Sequence, residues 1–335
     1  MSLFCEADIR VITVYEEDMT RPKFRPGEQV IFSVKARSGK KLLANYLAAR
    51  LGVVETWAAS LIDAGAVSLD GRKAIAGDFI NLSAGEHSIE IVFPESWPRH
   101  MAATEMNLEL LYEDDFLAIL NKPPGIVVHP ARGHLDGQTL QNGLRHRYRH
   151  LIGLQETTIG APHRLDKDTS GVVVFALKRD AYIELVRQFT AGEPKKEYWA
   201  LLDGVPAFDN IISREAIGVD PDLPKRGKLM PESVGGKAAE TEFTVLERGN
   251  GISLVLARPR TGRSHQIRLH AAGLGFPVVG DLDYHPEPRR HDAKRQALHA
   301  ASLTITHPAT GETRRFEAPL PEDMRRLMLA GGISG

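Results

Sequence analysis

The stretch PHRLDKDTSGVVVFAL, residues 162–177, joins two textures that seldom meet without a reason. Gly171 to Leu177 is an unbroken apolar run rich in β-branched residues, the pattern of a strand buried on both faces. Asp168-Thr169-Ser170-Gly171 supplies the small polar side chains of a tight turn ahead of it. Neither feature accounts for His163, Arg164, Asp166 and Lys167, which set opposite charges at the lip of a core strand. Desolvating a charge there is costly unless it is partnered or used, so this lip is the first place to look for chemistry.

The surrounding sequence is strand-rich. LELLYEDDFLAILNKPPGIVVHP (108–130) reads as strand, acidic turn, strand and a Pro-Gly loop, and further strands are expected at EYWALLDGV, ETEFTVLE, SLVLARP and SLTITHP. Helical patterns fall near 139–147, 180–191, 265–273 and 321–330. The order is not a regular βαβ alternation, and the fold class expected is α+β with a mixed, largely antiparallel sheet. Further toward the N-terminus, Leu43, Tyr46, Leu47 and Leu51 recur at helical spacing with Gly52 as a stop. A second helix passes through Leu61 and Ile62, and Asp-Gly-punctuated strands continue to Phe93, which makes a small α/β module. The chain therefore divides into an extension (1–36, with strand-like QVIFSVKA at its end), a small domain (37–93), a linker (94–107), a main domain (108–327) and a tail (328–335).

Composition sets bounds. With 335 residues and a formal net charge of −1, the chain has no global attraction for a polyanion, so any nucleic-acid recognition must be local. Between Arg258 and Arg315 ten basic residues face five acidic ones, which marks a candidate anion-facing surface. Cys5 is the single cysteine, which excludes an intrachain disulfide and a cysteine-based zinc cage. The first residues lack a basic stretch followed by an apolar run, and no segment approaches the ~18 apolar residues of a membrane span. A soluble cytoplasmic protein with no membrane association is expected, with a monomer as the default.

Three stretches concentrate ionisable residues beside apolar strands: HRLDKDTSG, KKEYWALL and RPRTGRSHQIRLH. Lys196 and Tyr198, two apart on a strand, share a face. In the third stretch a Thr-Gly turn launches a helix that carries Arg268. Asp166 beside Arg268, with Tyr198 near, is a plausible constellation: a carboxylate next to a buried guanidinium is held ionised and fixed in direction, which suits a nucleophile or base rather than a general acid. From these residues alone, a purely structural ion pair and a Tyr198 that only half-fills a sheet face are the simpler readings and come ahead of the catalytic one. His265 and His270, five apart, miss the i, i+4 spacing of a helical zinc motif, Ser170 lacks a nucleophile elbow, and no phosphate-loop spacing occurs. No metal and no cofactor are expected. DPDLPKRGKLMPESVGG reads as a solvated excursion whose Lys225, Arg226 and Lys228 are usable on a phosphate backbone.

Taken together, HRLDKDTSG, NKPPGIVVHP (121–130), KKEYWALL (195–202), RPRTGRSHQIRLH (258–270), GDLDYH (280–285) and ALHAASLTITHP (297–308) resemble, in order, the blocks of the RluA-type pseudouridine synthases. The resemblance spans about Leu108 to Met324 and implies a catalytic domain that isomerises uridine in RNA without a cofactor. It implies that Asp166 is the catalytic aspartate, Arg268 its ion-pair partner and Tyr198 the ring against the target base. Arg164 would enter the space left by a flipped nucleotide, with His163, Lys196, Arg263 and His265 as RNA contacts. Ser264 stands where the family usually has Thr, and Phe276 where it often has His. Lys41 to Phe93 resembles the small RNA-binding domain named after ribosomal protein S-four, with Lys40 and Lys41 as its RNA contacts. Ribosomal RNA of the large subunit is the expected substrate and transfer RNA the alternative. Two rivals are a non-catalytic RNA clamp in ribosome assembly and a glycosidase, which would need a second, proton-donating carboxylate.

Overall fold

The computed structural model describes residues 11–14, 29–35, 40–51, 55–75, 77–81, 86–93, 103–129, 138–151, 157–221, 223 and 226–334. Gly52, the linker segment 94–102 and Lys225 lie outside them. The chain forms two compact units, Met1–Thr104 with Pro130–Gln138, and Glu105–His129 with Thr139–Gly335.

The first unit contains β1 (Val11–Val14), β2 (Gln29–Lys35), β3 (Lys40–Leu42), α1 (Leu43–Leu51), α2 (Glu55–Asp63), β4 (Val67–Leu69), β5 (Arg72–Lys73), β6 (Phe79–Asn81) and β7 (Glu86–Val92). Leu43, Tyr46 and Leu47 of α1 and Leu61 and Ile62 of α2 pack with Val67, Leu69, Ile89 and Ile91 of the sheet, as their spacing predicts. The sheet order is β1-β2-β7-β4-β5. Residues 1–36 were expected as a separate extension, yet β2 pairs with β7 along its whole length, from Gln29↔Val92 to Lys35↔Glu86, and β1 adds in parallel. An edge of β7 is thereby covered rather than left to water. Lys40 and Lys41 lie on β3, and the Lys41 side chain is exposed.

The second unit contains β8 (Leu110–Glu113), β9 (Leu117–Lys122), α3 (Leu140–Arg147), β10 (Thr157–Gly160), β11 (Ser170–Lys178), α4 (Arg179–Ala191), β12 (Lys195–Asp203), β13 (Asn210–Ser213), β14 (Ile217–Val219), β15 (Gly227–Leu229), β16 (Thr241–Arg248), β17 (Ile252–Pro259), α5 (Gln266–Gly273), β18 (Leu298–Thr306), β19 (Thr313–Glu317) and α6 (Glu322–Ala330). Ten strands form one mixed sheet of order β13-β16-β17-β12-β18-β11-β9-β8, with β10 on β11 and β19 on β18; β14 and β15 form a separate hairpin.

Alternation decides what each face buries. On β11, Val173 and Phe175 pack toward Leu140 and Leu144 of α3, whereas Val172, Val174 and Ala176 pack toward Ala181 and Leu185 of α4. Helices on both faces explain the uninterrupted apolar run. In the other half of the sheet, Ala200 and Leu202 of β12 meet Ile267 and Ala271 of α5, and Leu201 meets Met324 and Met328 of α6. The expected tail is part of this core: α6 runs through residue 330, and Met328 and Ile333 are buried against Ile252 and Leu254.

The two halves part at one place. β18 pairs with β12 from Leu298 to Thr304 but meets β11 in parallel only at Ser170↔His299 and Gly171↔Ala300. Beyond these two residues no further β11–β18 pairing forms among the described residues. Gly171 makes the contact possible, because at φ +111° a Cβ would stand 2.2 Å from the Ala300 carbonyl oxygen. Gly171→Ala is expected to cost about 3 kcal/mol through overpacking and backbone strain. Chemical denaturation would measure the loss; a variant as stable as the wild type contradicts the close crossing.

Candidate active site

Where β11 leaves β18, the sheet opens into a cavity of about 590 Å³ in the second unit. Its wall includes Arg164, Asp166, Lys196, Tyr198, His265 and Arg268, which come from three separate segments of the sequence.

Asp166 sits in the turn ahead of β11, and the buried basic side chains of Lys122 and Arg295 hold that turn by its carbonyls. The Thr169 N–H donates to the Asp166 carbonyl (3.1 Å), while the Lys167 carbonyl accepts from Lys122 Nζ (2.7 Å) and from the Gly125 N–H (2.9 Å). Arg295 Nη1 donates to the Asp168 carbonyl (3.0 Å), and its Nη2 to Ser170 Oγ (3.3 Å). A backbone clamped at successive carbonyls leaves the Asp166 side chain little freedom of aim. Lys122 and Arg295 act through the main chain, which is why the sequence pattern alone assigns them no role.

Arg268 projects from the first turns of α5. Asp281 takes its Nε and one Nη2 proton in a fork, both at 2.6 Å, Asp283 takes the other Nη2 proton at 2.7 Å, and Asp166 accepts from Nη1 at 3.3 Å. The expected Asp166–Arg268 pair is present, but it is the longest of the four contacts. Asp281, fully buried and accepting the Asp283 N–H (2.9 Å), is the anchor of the guanidinium. Burial works to raise the Asp283 pKa, but Arg268, with Arg226 behind it, outweighs burial and the net shift is downward. Asp281 and Asp283 belong to the GDLDYH block, yet nothing local ties them to an arginine 13 and 15 positions earlier.

The remaining expected contacts differ in kind. Arg164 is exposed at the rim. The His163 ring stacks on Phe189 at 4.6 Å and its Nε2 accepts the Val174 N–H at 3.2 Å, on the stretch of β11 that β18 leaves bare. Burial, with Lys196 and His129 adding to it, pushes the His163 pKa down to about 3, so the ring is a neutral wall and not a cation. Lys196 shares the cavity face with Tyr198 and donates to the Thr261 carbonyl at 3.0 Å; burial takes its pKa down to about 8. The Arg263 Nε donates to the Ala238 carbonyl at 3.0 Å. Burial, assisted by Asp166, raises the Tyr198 pKa and keeps its hydroxyl protonated. Gln266, absent from the expected set, shapes the loop over the cavity: Oε1 accepts from Thr261 Oγ1 and the Arg263 N–H, and Nε2 donates to the Glu240 carbonyl.

The expected anion-facing surface between Arg258 and Arg315 is largely spent on the protein itself. Arg258, Arg260, Arg268, Arg290, Arg295, Arg314 and Arg315 all have carboxylate partners. Arg226, expected to be available for phosphate, pairs with Asp283 at 3.1 Å. Counting basic residues overlooks acidic partners that come from distant strands.

Lys122 supplies a pH test of this architecture. Its side chain is fully buried, and burial lowers its pKa to about 7. A neutral amine has two N–H donors, matched here by the Pro123 and Lys167 carbonyls. Below about pH 7 the amine is charged in both states and burial opposes folding in full. Between that value and ~10.4 the unfolded chain keeps a proton that the native state has released, so stability rises with pH. Wild type is expected to gain stability over Lys122→Met between pH 7 and about 9 by denaturant titration. Parallel pH profiles for the two proteins count against a neutral Lys122.

The sequence profile of the RNA pseudouridylate synthase family matches residues 116–273. The chain is 39% identical over 264 residues to the uncharacterized RNA pseudouridine synthase YlyB of Bacillus subtilis (strain 168), covering 77% of this chain and 85% of that one. It is 38% identical over 298 residues to ribosomal large subunit pseudouridine synthase D of Neisseria meningitidis serogroup B, covering 86% of this chain and 76% of that one. Among solved structures, human RNA pseudouridylate synthase domain containing 1 and domain containing 4 superpose with TM-scores of 0.54 and 0.56 at 28% and 25% identity. They cover 67% and 66% of this chain, and 94% and 92% of their own. The profile match, identities of 38–39% over most of both chains, and a shared fold show that the chain belongs to the RNA pseudouridylate synthase family and is an isomerase that forms pseudouridine.

Proposed function

We propose that the enzyme converts a uridine of large-subunit ribosomal RNA to pseudouridine, with Asp166 as the catalytic carboxylate, Arg268 as its ion-pair partner and Tyr198 as the ring against the base. The observation that carries this reading is the cavity itself: one carboxylate, set by a buried guanidinium at 3.3 Å, beside a half-buried tyrosine ring at the parting of the sheet. A uracil within a stacked helix is out of reach of such a recess, so the nucleotide must be flipped out at a cost of a few kcal/mol. Arg164, exposed at the rim, fits the space that the base vacates. Apolar walls from Ile267 and Leu298 help to keep water from the opened glycosidic bond.

The substrate assignment rests on the relatives named for the ribosomal large subunit. The first unit, with its α1–α2 pair against a small sheet, fits the S-four-like RNA-binding role, with Lys40 and Lys41 on β3 at the RNA. The reading places the enzyme in the cytoplasm, acting as a monomer. Among the described residues no helix is long and apolar enough to cross a membrane.

The test is a pseudouridine map of total RNA from cells lacking the gene, complemented with wild type or Asp166→Ala. A site in large-subunit RNA that is lost on deletion and restored only by wild type is expected. A lost site in transfer RNA overturns the substrate, and full restoration by Asp166→Ala overturns the role of the carboxylate.

A further inference from the structure

One polar group in the cavity is built for a task that the ion-pair network does not use. His265 precedes α5 with φ +56°, a left-handed conformation that few non-glycine residues adopt, and this places its ring against the cavity. Its Nδ1 lies 2.7 Å from the Tyr284 hydroxyl, and that hydroxyl accepts the Gly227 N–H at 2.9 Å. Among the described residues the hydroxyl meets no other acceptor, so its own proton goes to Nδ1 and the imidazole carries its hydrogen on Nε2. Burial lowers the pKa of the ring against the pull of Asp166, which favours this neutral form.

Nε2 points toward Asp166 Oδ1 from 3.9 Å, beyond hydrogen-bond range. The donors of Arg268 that face this region go to Asp281, Asp283 and Asp166, and Lys196 donates to Thr261. Among the described residues, the Nε2–H is thus a fixed donor beside the carboxylate with no protein acceptor within hydrogen-bond distance.

We propose that His265 donates this hydrogen bond to a carbonyl oxygen of the uracil ring while the ring is detached from ribose, and that Tyr284 is the positioning residue that sets the tautomer. The proposal rests on the reading of Asp166 as the catalytic carboxylate. When the C1′–N1 bond breaks, its electron pair stays on the ring and spreads onto the two carbonyl oxygens. A preorganised donor aimed at developing charge lowers the barrier. A neutral imidazole is too weak an acid to surrender its proton, so the ring stays anionic while it turns. C5 then attacks the electron-deficient C1′, which stands beside the Asp166 carboxylate, with the electron pair the ring retained; the proton lost from C5 is replaced by one taken up at N1 from solvent, so the product is an isomer of the substrate.

The experiment combines ¹⁵N NMR of the histidine-labelled enzyme with single-turnover pseudouridine formation on an RNA carrying the mapped site. The NMR is expected to show Nδ1 unprotonated and Nε2 protonated in wild type, and a mixture of tautomers in Tyr284→Phe. Rates are expected to fall about 100-fold in His265→Asn, whose amide is too short, and less than about tenfold in His265→Gln, whose amide nitrogen reaches the Nε2 position. Tyr284→Phe is expected to lose about fivefold with RNA affinity unchanged, an effect within the reach of one hydrogen bond. A proton on Nδ1 in wild type, a wild-type rate in His265→Asn, or equal losses in the Asn and Gln variants overturns the proposal. An active wild type with an indifferent His265→Asn overturns it alone, whereas a wild type inactive on every RNA overturns the functional reading beneath it.

Discussion

The buried guanidinium of Arg268 is the interaction on which the rest of the site depends. Placing one cation among three carboxylates away from water is unfavourable unless every contact is well formed, and removing a partner from such a group leaves an uncompensated charge. Asp281 solves most of this problem with a two-pronged contact at 2.6 Å, and Asp283 takes a further proton. What remains for Asp166 is one longer contact through Nη1. The geometry therefore separates two jobs: Asp281 holds the arginine, and Asp166 is oriented by it while keeping an accessible oxygen.

That arrangement is possible only because the sheet opens beside it. β11 is covered on both faces and buried along nearly its whole length, yet it pairs with β18 at two residues only. The contact is close because Gly171 has no side chain, and the turn before it is pinned by Lys122 and Arg295 through backbone carbonyls. Supporting groups that act on the main chain fix the Asp166 side chain without crowding the cavity it faces. Chemistry that must exclude water benefits from such support on rigid elements rather than on a mobile loop.

The electrostatics follow the same economy. A chain with a net charge of −1 has no general affinity for a polyanion, and most arginines of the basic stretch are already paired within the fold. At the cavity, Arg164, Arg260 and Arg263 are the exposed cations, and Arg260 is paired with Glu240. Phosphate contacts alone position a nucleic acid but do not select a base.

Much of this was legible in the residues. Alternation and apolar runs placed the strands of the second unit and its helices, because side-chain periodicity is a local property of the backbone. The charged lip HRLDKDTSG and the HQIR helix pointed to Asp166 and Arg268, since ionisable groups beside core strands need partners. The residues left unrecognised were those whose meaning is a contact. Asp281 and Asp283 become partners of Arg268 only when the turn after α5 folds back, Lys122 and Arg295 matter through carbonyls that have no sequence signature, and β2 joins the first sheet through an edge 57 residues away. The apparent basic surface dissolved for the same reason. Sequence by itself determined the elements and the fold class, because these follow from periodicity, and indicated the chemical kind of the site only through the resemblance of its ordered motif blocks to a known family. Tertiary structure decided which carboxylate anchors the arginine and which is left to face the cavity, because burial and hydrogen-bond geometry exist only once distant strands meet.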